Sequence, residues 1–185
     1  QMIKLESHRL IIRDHINSDL EAMHKWISDP EIMQFLDWKT NSIEETSLKL
    51  NEAMEEINSS NRTKYYFAVE LKGTYQIVGE VGVTVLIKND FGGIAESGYF
   101  FLRQFWGQGL ASESLIRVHE FAFNELGIHK IVADCDSENK ASERVMIKCG
   151  MKKEGEFKKH QFRSGKWCDS IKYALLKEEQ INLTH

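Results

Sequence analysis

Gln104-Phe105-Trp106-Gly107-Gln108-Gly109 follows an apolar run at residues 98–102 and opens an amphipathic stretch, and Asn139-Lys140-Ala141-Ser142-Glu143-Arg144-Val145 opens a second one downstream. Paired glycines between elements usually serve only to make a tight connection. At the junction of a strand and a helix they also leave backbone N–H groups unobstructed, which is how a turn holds phosphate. Two nucleotide motifs fit poorly. A Walker A loop needs Lys-Ser/Thr after its last glycine, whereas Leu110 and Ala111 follow Gly109. A dinucleotide fingerprint needs an early strand and an acidic ribose ligand further on, and this turn lies in mid-chain.

A length of 185 residues suits one ordinary domain, 2–185, that buries a core without disulfides or metal, and Gln1 ahead of Met2 reads as a cloning remnant. Hydrophobic residues make up 42% and charged residues 28%, with a single proline and no low-complexity run, which excludes disordered and fibrous classes. The formal charge of −4 and the lack of a Lys/Arg cluster argue against a nucleic-acid partner and suit cationic substrates. Cys135, Cys149 and Cys168 are an odd set without CxxC spacing, so neither a disulfide framework nor a zinc site is indicated, and a reducing cytoplasm is expected. The histidines show no paired ligand spacing, so no metal is expected. A polar, charged N-terminus without a long apolar segment gives no sign of a signal peptide or membrane span.

Residues 4–13 carry Leu5, Leu10, Ile11 and Ile12 and read as one first strand. Ser18 and Glu21 then suggest a capping box for a helix with Leu20, Met23 and Ile27 on one face, stopped at Asp29-Pro30. A second helix starts at Ser42, with Glu45 three residues on and a stripe of Ile43, Leu50, Met54 and Ile57. Residues 58–64 are the best loop candidate. Strands at 65–71, 76–87 and 95–102 follow as an antiparallel meander. The helix opened by Gly109 runs to about Leu126 with Gly127 as its stop. A short strand at 131–134, a short helix from Asn139 to Cys149 and a final hairpin across residues 163–166 complete the order.

With these elements in place the chain resembles a Gcn5-related N-acetyltransferase (GNAT), and within that superfamily the RimJ/RimL-like branch. The resemblance spans nearly the whole chain. It rests on Gln104-x-x-Gly107-x-Gly109, on Ala95-Glu96-Ser97-Gly98-Tyr99, and on Asn139-x-x-Ser142-x-Arg144-Val145 followed by Lys148-Cys149-Gly150-Met151. Ser7-His8-Arg9-Leu10 and Gly165-Lys166-Trp167-x-Asp169 support it. Periodicity alone gives only a mixed α/β domain.

The resemblance implies a central, largely antiparallel twisted sheet that splays at an acetyl-CoA site and is flanked by helices. It implies that the backbone of Phe100, Phe101 and Leu102 binds the pantetheine arm. The amides of Gly107, Gln108, Gly109, Leu110 and Ala111 would hold the pyrophosphate, with Trp106 a packing residue. The implied reaction is direct attack of a primary amine on the thioester, the amine being a protein N-terminus such as a ribosomal protein's, or a small molecule. It leaves room for a homodimer. Many relatives use a tyrosine seven residues after the asparagine as acid, and Met146 stands there. RimJ/RimL-like sequences commonly lack that tyrosine and place a serine where Ser142 stands, so the resemblance makes Ser142 the candidate donor to the leaving thiolate, against the reading of a first-turn serine bonded to backbone. Asn139 reads as a pantetheine ligand, a helix cap, or both. Glu96 is the candidate proton acceptor, against an ordinary exposed carboxylate, with Asp134 and Asp136 less persuasive. Phe35, Trp38, His160 and Phe162 are candidates for the acceptor opening, though clustered aromatics more often form core. A non-catalytic acyl-CoA-binding module is the competing function.

Overall fold

A computed structural model describes residues 1–180; the end of the expected 2–185 domain lies outside the described residues. Eight strands form one sheet in the order β1-β2-β3-β4-β5-β6-β8-β7. In chain order these are β1 (Lys4–Glu6), β2 (Leu10–Asp14), β3 (Lys64–Leu71), β4 (Ile77–Asn89), β5 (Gly92–Phe101), β6 (Lys130–Asp136), β7 (Lys152–Arg163) and β8 (Lys166–Leu176). Four α-helices flank them: α1 (Leu20–Ile27), α2 (Ile43–Ile57), α3 (Leu110–Glu125) and α4 (Lys140–Lys148). Every pairing is antiparallel except that of β5 with β6. The expected sheet, largely antiparallel and helix-flanked, is present.

The alternation of β5 sorts its side chains between two cores. Ala95 and Phe101 are buried among Leu110, Leu115, Val118 and Ala122 of α3, with Tyr99 packed against the same cluster. Phe100 faces the other way, onto Met23, Trp26 and Ile27 of α1 and Leu50 of α2. Trp26 is fully buried, and sealing each such side chain from water contributes about 1.5–3 kcal/mol. The stripe read on α2 is narrower than expected, since Leu50 is buried while Ile43 is exposed.

Two local expectations are corrected. The single strand at 4–13 is a hairpin of β1 and β2, closed by the Ser7 N–H donating to the Leu10 carbonyl at 3.0 Å. The turn lacks Gly and Pro because it is held from a distance: the Glu113 carboxylate on α3 accepts the Arg9 N–H (2.9 Å) and the Ser7 hydroxyl (2.6 Å). The Ser18 capping box is replaced by a 3-10 turn, Asn17–Asp19, in which the Asp19 carboxylate accepts the Ile16 N–H at 2.8 Å. Ser42 does cap α2, its hydroxyl accepting the Glu45 N–H at 3.2 Å.

Asp19 belongs to a buried charged network that ties α1 to the sheet. Arg13 donates to both Asp19 oxygens at 2.9 Å and to Glu70 at 2.6 Å. His15 bridges Asp19, 3.4 Å from Nδ1, and Glu80 on β4, 2.8 Å from Nε2. Desolvation opposes the imidazolium, but hydrogen bonds and charge from Asp19 and Glu80 outweigh it and raise the His15 pKa to about 9. Burial opposes the Asp19 carboxylate, but hydrogen bonds from Arg13, then His15 and the Ile16 N–H, hold it far below the usual carboxylate range.

Candidate active site

The parallel seam between β5 and β6 is short. It pairs Ile94 with Lys130, Ala95 with Ile131 and Glu96 with Val132, and ends there. Beyond it β5 continues to Phe101 and β6 to Asp136 without pairing, so the two strands diverge and a gap opens in the middle of the sheet. On β5 the Leu102 N–H donates to the Val78 carbonyl at 3.0 Å, outside the gap. Antiparallel alternation then turns the main chain of Phe100 toward β4 and that of Tyr99 and Phe101 toward the gap. Of the three expected backbone ligands, Phe101 turns its main chain to the gap, while Phe100 and Leu102 turn theirs to β4.

The Phe101 carbonyl accepts the Trp106 indole N–H at 2.8 Å. Trp106, expected as a packing residue, is therefore a half-exposed tether on the strand end. Gly107 and Gly109 adopt left-handed backbone, φ 76° and 78°. An L side chain is strained at either position. Gly109 is the N-cap of α3 and supplies no side-chain cap, which leaves the first-turn N–H groups of Leu110 and Ala111 without a side-chain acceptor among the described residues, at the positive end of a 16-residue helix. This arrangement suits an anion.

At the far side of the gap, Asn139 caps α4, its Oδ1 accepting the Ser142 N–H at 3.1 Å. The cap reading of Asn139 holds, and its Nδ2 has no protein acceptor among the described residues. Burial raises the pKa of the Tyr99 phenol, and the nearby Ser142 hydroxyl lowers it to a lesser degree. Tyr99 entered the sequence reading only as part of a motif. Its signal was its parity on β5, which puts it on the α3 and α4 side.

Glu96 projects from the opposite face, at the last rung of the seam. Partial burial raises its pKa and Asp134 raises it further, whereas Lys172 lowers it. Thr84 pairs with Glu96 in register, and its hydroxyl lies 2.9 Å from that of Tyr66 on the same face. Tyr66 and Thr84 carried no signal in the sequence beyond strand propensity. Asp136 is engaged elsewhere, accepting from Arg163 at 2.5 Å. Arg163 also donates to the Gln34 carbonyl at 3.2 Å and lies over the Phe35 ring, 5.2 Å from its centroid, so the β7–β8 hairpin leans on the loop after α1.

The four aromatic candidates for the opening do not form one cluster. Phe162 stacks edgewise on Trp167 at 5.4 Å, His160 pairs with Phe157 at 5.1 Å, and Trp38 sits under Lys49 at 5.1 Å. Burial pushes the Cys135 thiol up to about 11 and that of Cys149 to about 12, so neither is an activated nucleophile. His119 is buried in α3, 3.0 Å from Ser97 Oγ, with burial lowering its pKa to about 4. No group of three metal-ligating side chains occurs among the described residues, and no helix there is long and apolar enough to cross a membrane.

The family model for the acetyltransferase (GNAT) domain matches residues 9–152, which hold the glycine turn, the gap and α4. The chain belongs to the GNAT acetyltransferase family. It is 31% identical over 175 residues to the uncharacterized N-acetyltransferase YnaD of Bacillus subtilis, covering 95% of this chain and 98% of that protein. It superposes on a GNAT-family acetyltransferase from Bacillus anthracis with a TM-score of 0.82 at 30% identity, covering 95% and 99% of the two chains. A spermidine N-acetyltransferase from Vibrio cholerae, solved with CoA and spermine, has a TM-score of 0.80 at 22% identity over 94% of this chain and 99% of that one. This GNAT enzyme is an N-acetyltransferase with acetyl-CoA as co-substrate. The open main chain of the gap, the uncapped α3 terminus and the unused Asn139 amide fit a long ligand with an anionic bridge.

Proposed function

We propose that this GNAT enzyme acetylates a primary amine by direct attack on the acetyl-CoA thioester, and that it belongs to the RimJ/RimL-like branch. The observation that carries the reading is the separation of two proton-handling groups by the gap. Glu96 stands on one face beside Asp134, and Ser142 with Tyr99 stands on the other. The acidic face suits an approaching ammonium, in line with the formal charge of −4. The acceptor is a protein N-terminus, such as a ribosomal protein's, or a small amine.

Glu96 takes a proton from the ammonium through water, freeing the nitrogen lone pair to attack the thioester carbonyl carbon. The attacking nitrogen loses its second proton to solvent once the C–N bond has formed, and as the C–S bond breaks Ser142 gives its proton to the departing sulfur and recovers one from solvent, directly or by way of Tyr99. Products are the acetamide and free CoA, with the ammonium proton passed from Glu96 to bulk water. The raised thiols of Cys135 and Cys149 favour this direct route over a cysteinyl intermediate.

Thiol release from acetyl-CoA across a panel of amines and N-terminal peptides tests the proposal, and turnover with none of them favours the competing reading, a non-catalytic acyl-CoA module. Met146, where many relatives place tyrosine, is the observation that favours that competitor.

Once an acceptor is known, Glu96→Gln should lower kcat/KM at pH 7 by about 10-fold, the modest end for a general base because Asp134 is adjacent. The deficit should shrink at high pH, where free amine becomes abundant. Rate profiles from pH 6 to 10 check this, and a variant profile matching wild type in shape and height rules Glu96 out.

A further inference from the structure

We propose that Arg9, on the hairpin between β1 and β2, and Lys148, in the last turn of α4, form a cationic pair that grips a phosphate group of acetyl-CoA above the glycine turn. The inference rests on acetyl-CoA as co-substrate and extends it to two side chains outside the turn.

Both cations converge on Gly109. A Cβ at that position would lie 3.2 Å from Lys148 Nζ and 3.5 Å from Arg9 Nη2. Each arrives there through a separate piece of architecture. Arg9 is fixed by Glu113, which accepts its Nε at 2.8 Å and its main-chain N–H at 2.9 Å, and by the Gln108 carbonyl, which accepts Nη1 at 2.9 Å. These bonds use Nε and Nη1 and leave Nη2 pointing over the turn without a protein acceptor among the described residues. Lys148 is placed by the buried Cys149, whose Sγ lies 3.9 Å from the Ser112 carbonyl and seats the end of α4 on the first turn of α3. Lys148 has no carboxylate within salt-bridge distance among the described residues.

Two like charges held this close repel each other and raise the energy of the empty site. Glu113 offsets one of them, so the local sum is one positive charge beside the uncapped amides of α3. A phosphate completes this set. Charge-assisted bonds from a guanidinium and an ammonium to phosphate oxygens are short and strong, and Arg9 is already oriented to make them. Acetyl-CoA offers two phosphate chemistries, the pyrophosphate bridge and the 3′-phosphomonoester. The pair suits either, and binding can tell them apart.

Calorimetric titration of CoA and of 3′-dephospho-CoA into wild type, Lys148→Gln and Arg9→Gln is the test. Lys148→Gln should weaken CoA by about 10-fold or more, the scale of one lost charge-assisted bond. If the pair holds the 3′-phosphate, wild type prefers CoA to the dephospho form and the variants lose that preference. If it holds the pyrophosphate, both ligands weaken together. Arg9→Gln also loosens the β1–β2 hairpin, so Lys148→Gln, which leaves every contact of the turn in place, decides between loss of a ligand and loss of fold. Wild-type affinity for both ligands in Lys148→Gln overturns the proposal. Failure of wild type to bind CoA at all would instead count against the co-substrate.

Discussion

Ser142→Ala is expected to lower kcat about 10²-fold while leaving acetyl-CoA affinity close to wild type. On the proposed mechanism this removes the donor to the departing sulfur, but Asn139 still caps α4 through the Ser142 N–H, a main-chain contact that alanine keeps. A serine that only satisfied backbone groups would behave otherwise. No bond from the Ser142 hydroxyl to the backbone occurs among the described residues, and its neighbour is the Tyr99 phenol. Tyr99→Phe should therefore show a weaker form of the same defect, with kcat reduced and affinity unchanged. Steady-state rates paired with CoA titrations and melting curves check both variants. Unchanged turnover per folded molecule in Ser142→Ala would remove Ser142 from the chemistry.

The second large effect concerns stability. His15, its pKa raised from 6.5 to about 9, binds its proton more tightly in the folded state than in the unfolded one. The stabilisation it gives is complete below pH 6.5 and is lost as pH rises through 9. The difference amounts to roughly 3 kcal/mol across that window. Asp19 acts with the opposite sign: its depressed pKa contributes stability that disappears only in strong acid. Urea unfolding at pH 6, 7.5 and 9 should show the decline. His15→Gln should cost about 3 kcal/mol at pH 6, because it leaves the buried Glu80 carboxylate without its cation while Asp19 keeps Arg13, and should flatten the pH dependence. A variant whose stability falls with pH as steeply as wild type would show that another group carries the slope.

The sequence declared those parts of the molecule whose cause is local. Gly107 and Gly109 announced a turn because only glycine takes left-handed backbone without strain, and both adopt it. Asn139 announced the start of α4 because its side chain caps three residues on. What stayed hidden was set by distant partners. The β1–β2 turn is organised by Glu113, more than a hundred positions away, so Ser7-His8-Arg9 looked like the middle of a strand. Ile16 and Asp19 replaced Ser18 at the start of α1 because Arg13 and His15 recruit the aspartate. Tyr99, Tyr66 and Thr84 were placed by register, which depends on how β4, β5 and α4 come together. β7 is exposed along nearly its whole length, so it shows no alternation, and only its later half was readable.

The short seam between β5 and β6 makes the sheet two leaves, five strands on one side and three on the other, sewn by three residue pairs. Past the last stitch, each leaf presents main chain that the other leaf does not pair, an edge inside the molecule rather than at its rim. An extended ligand laid along that edge would take the place of a ninth strand.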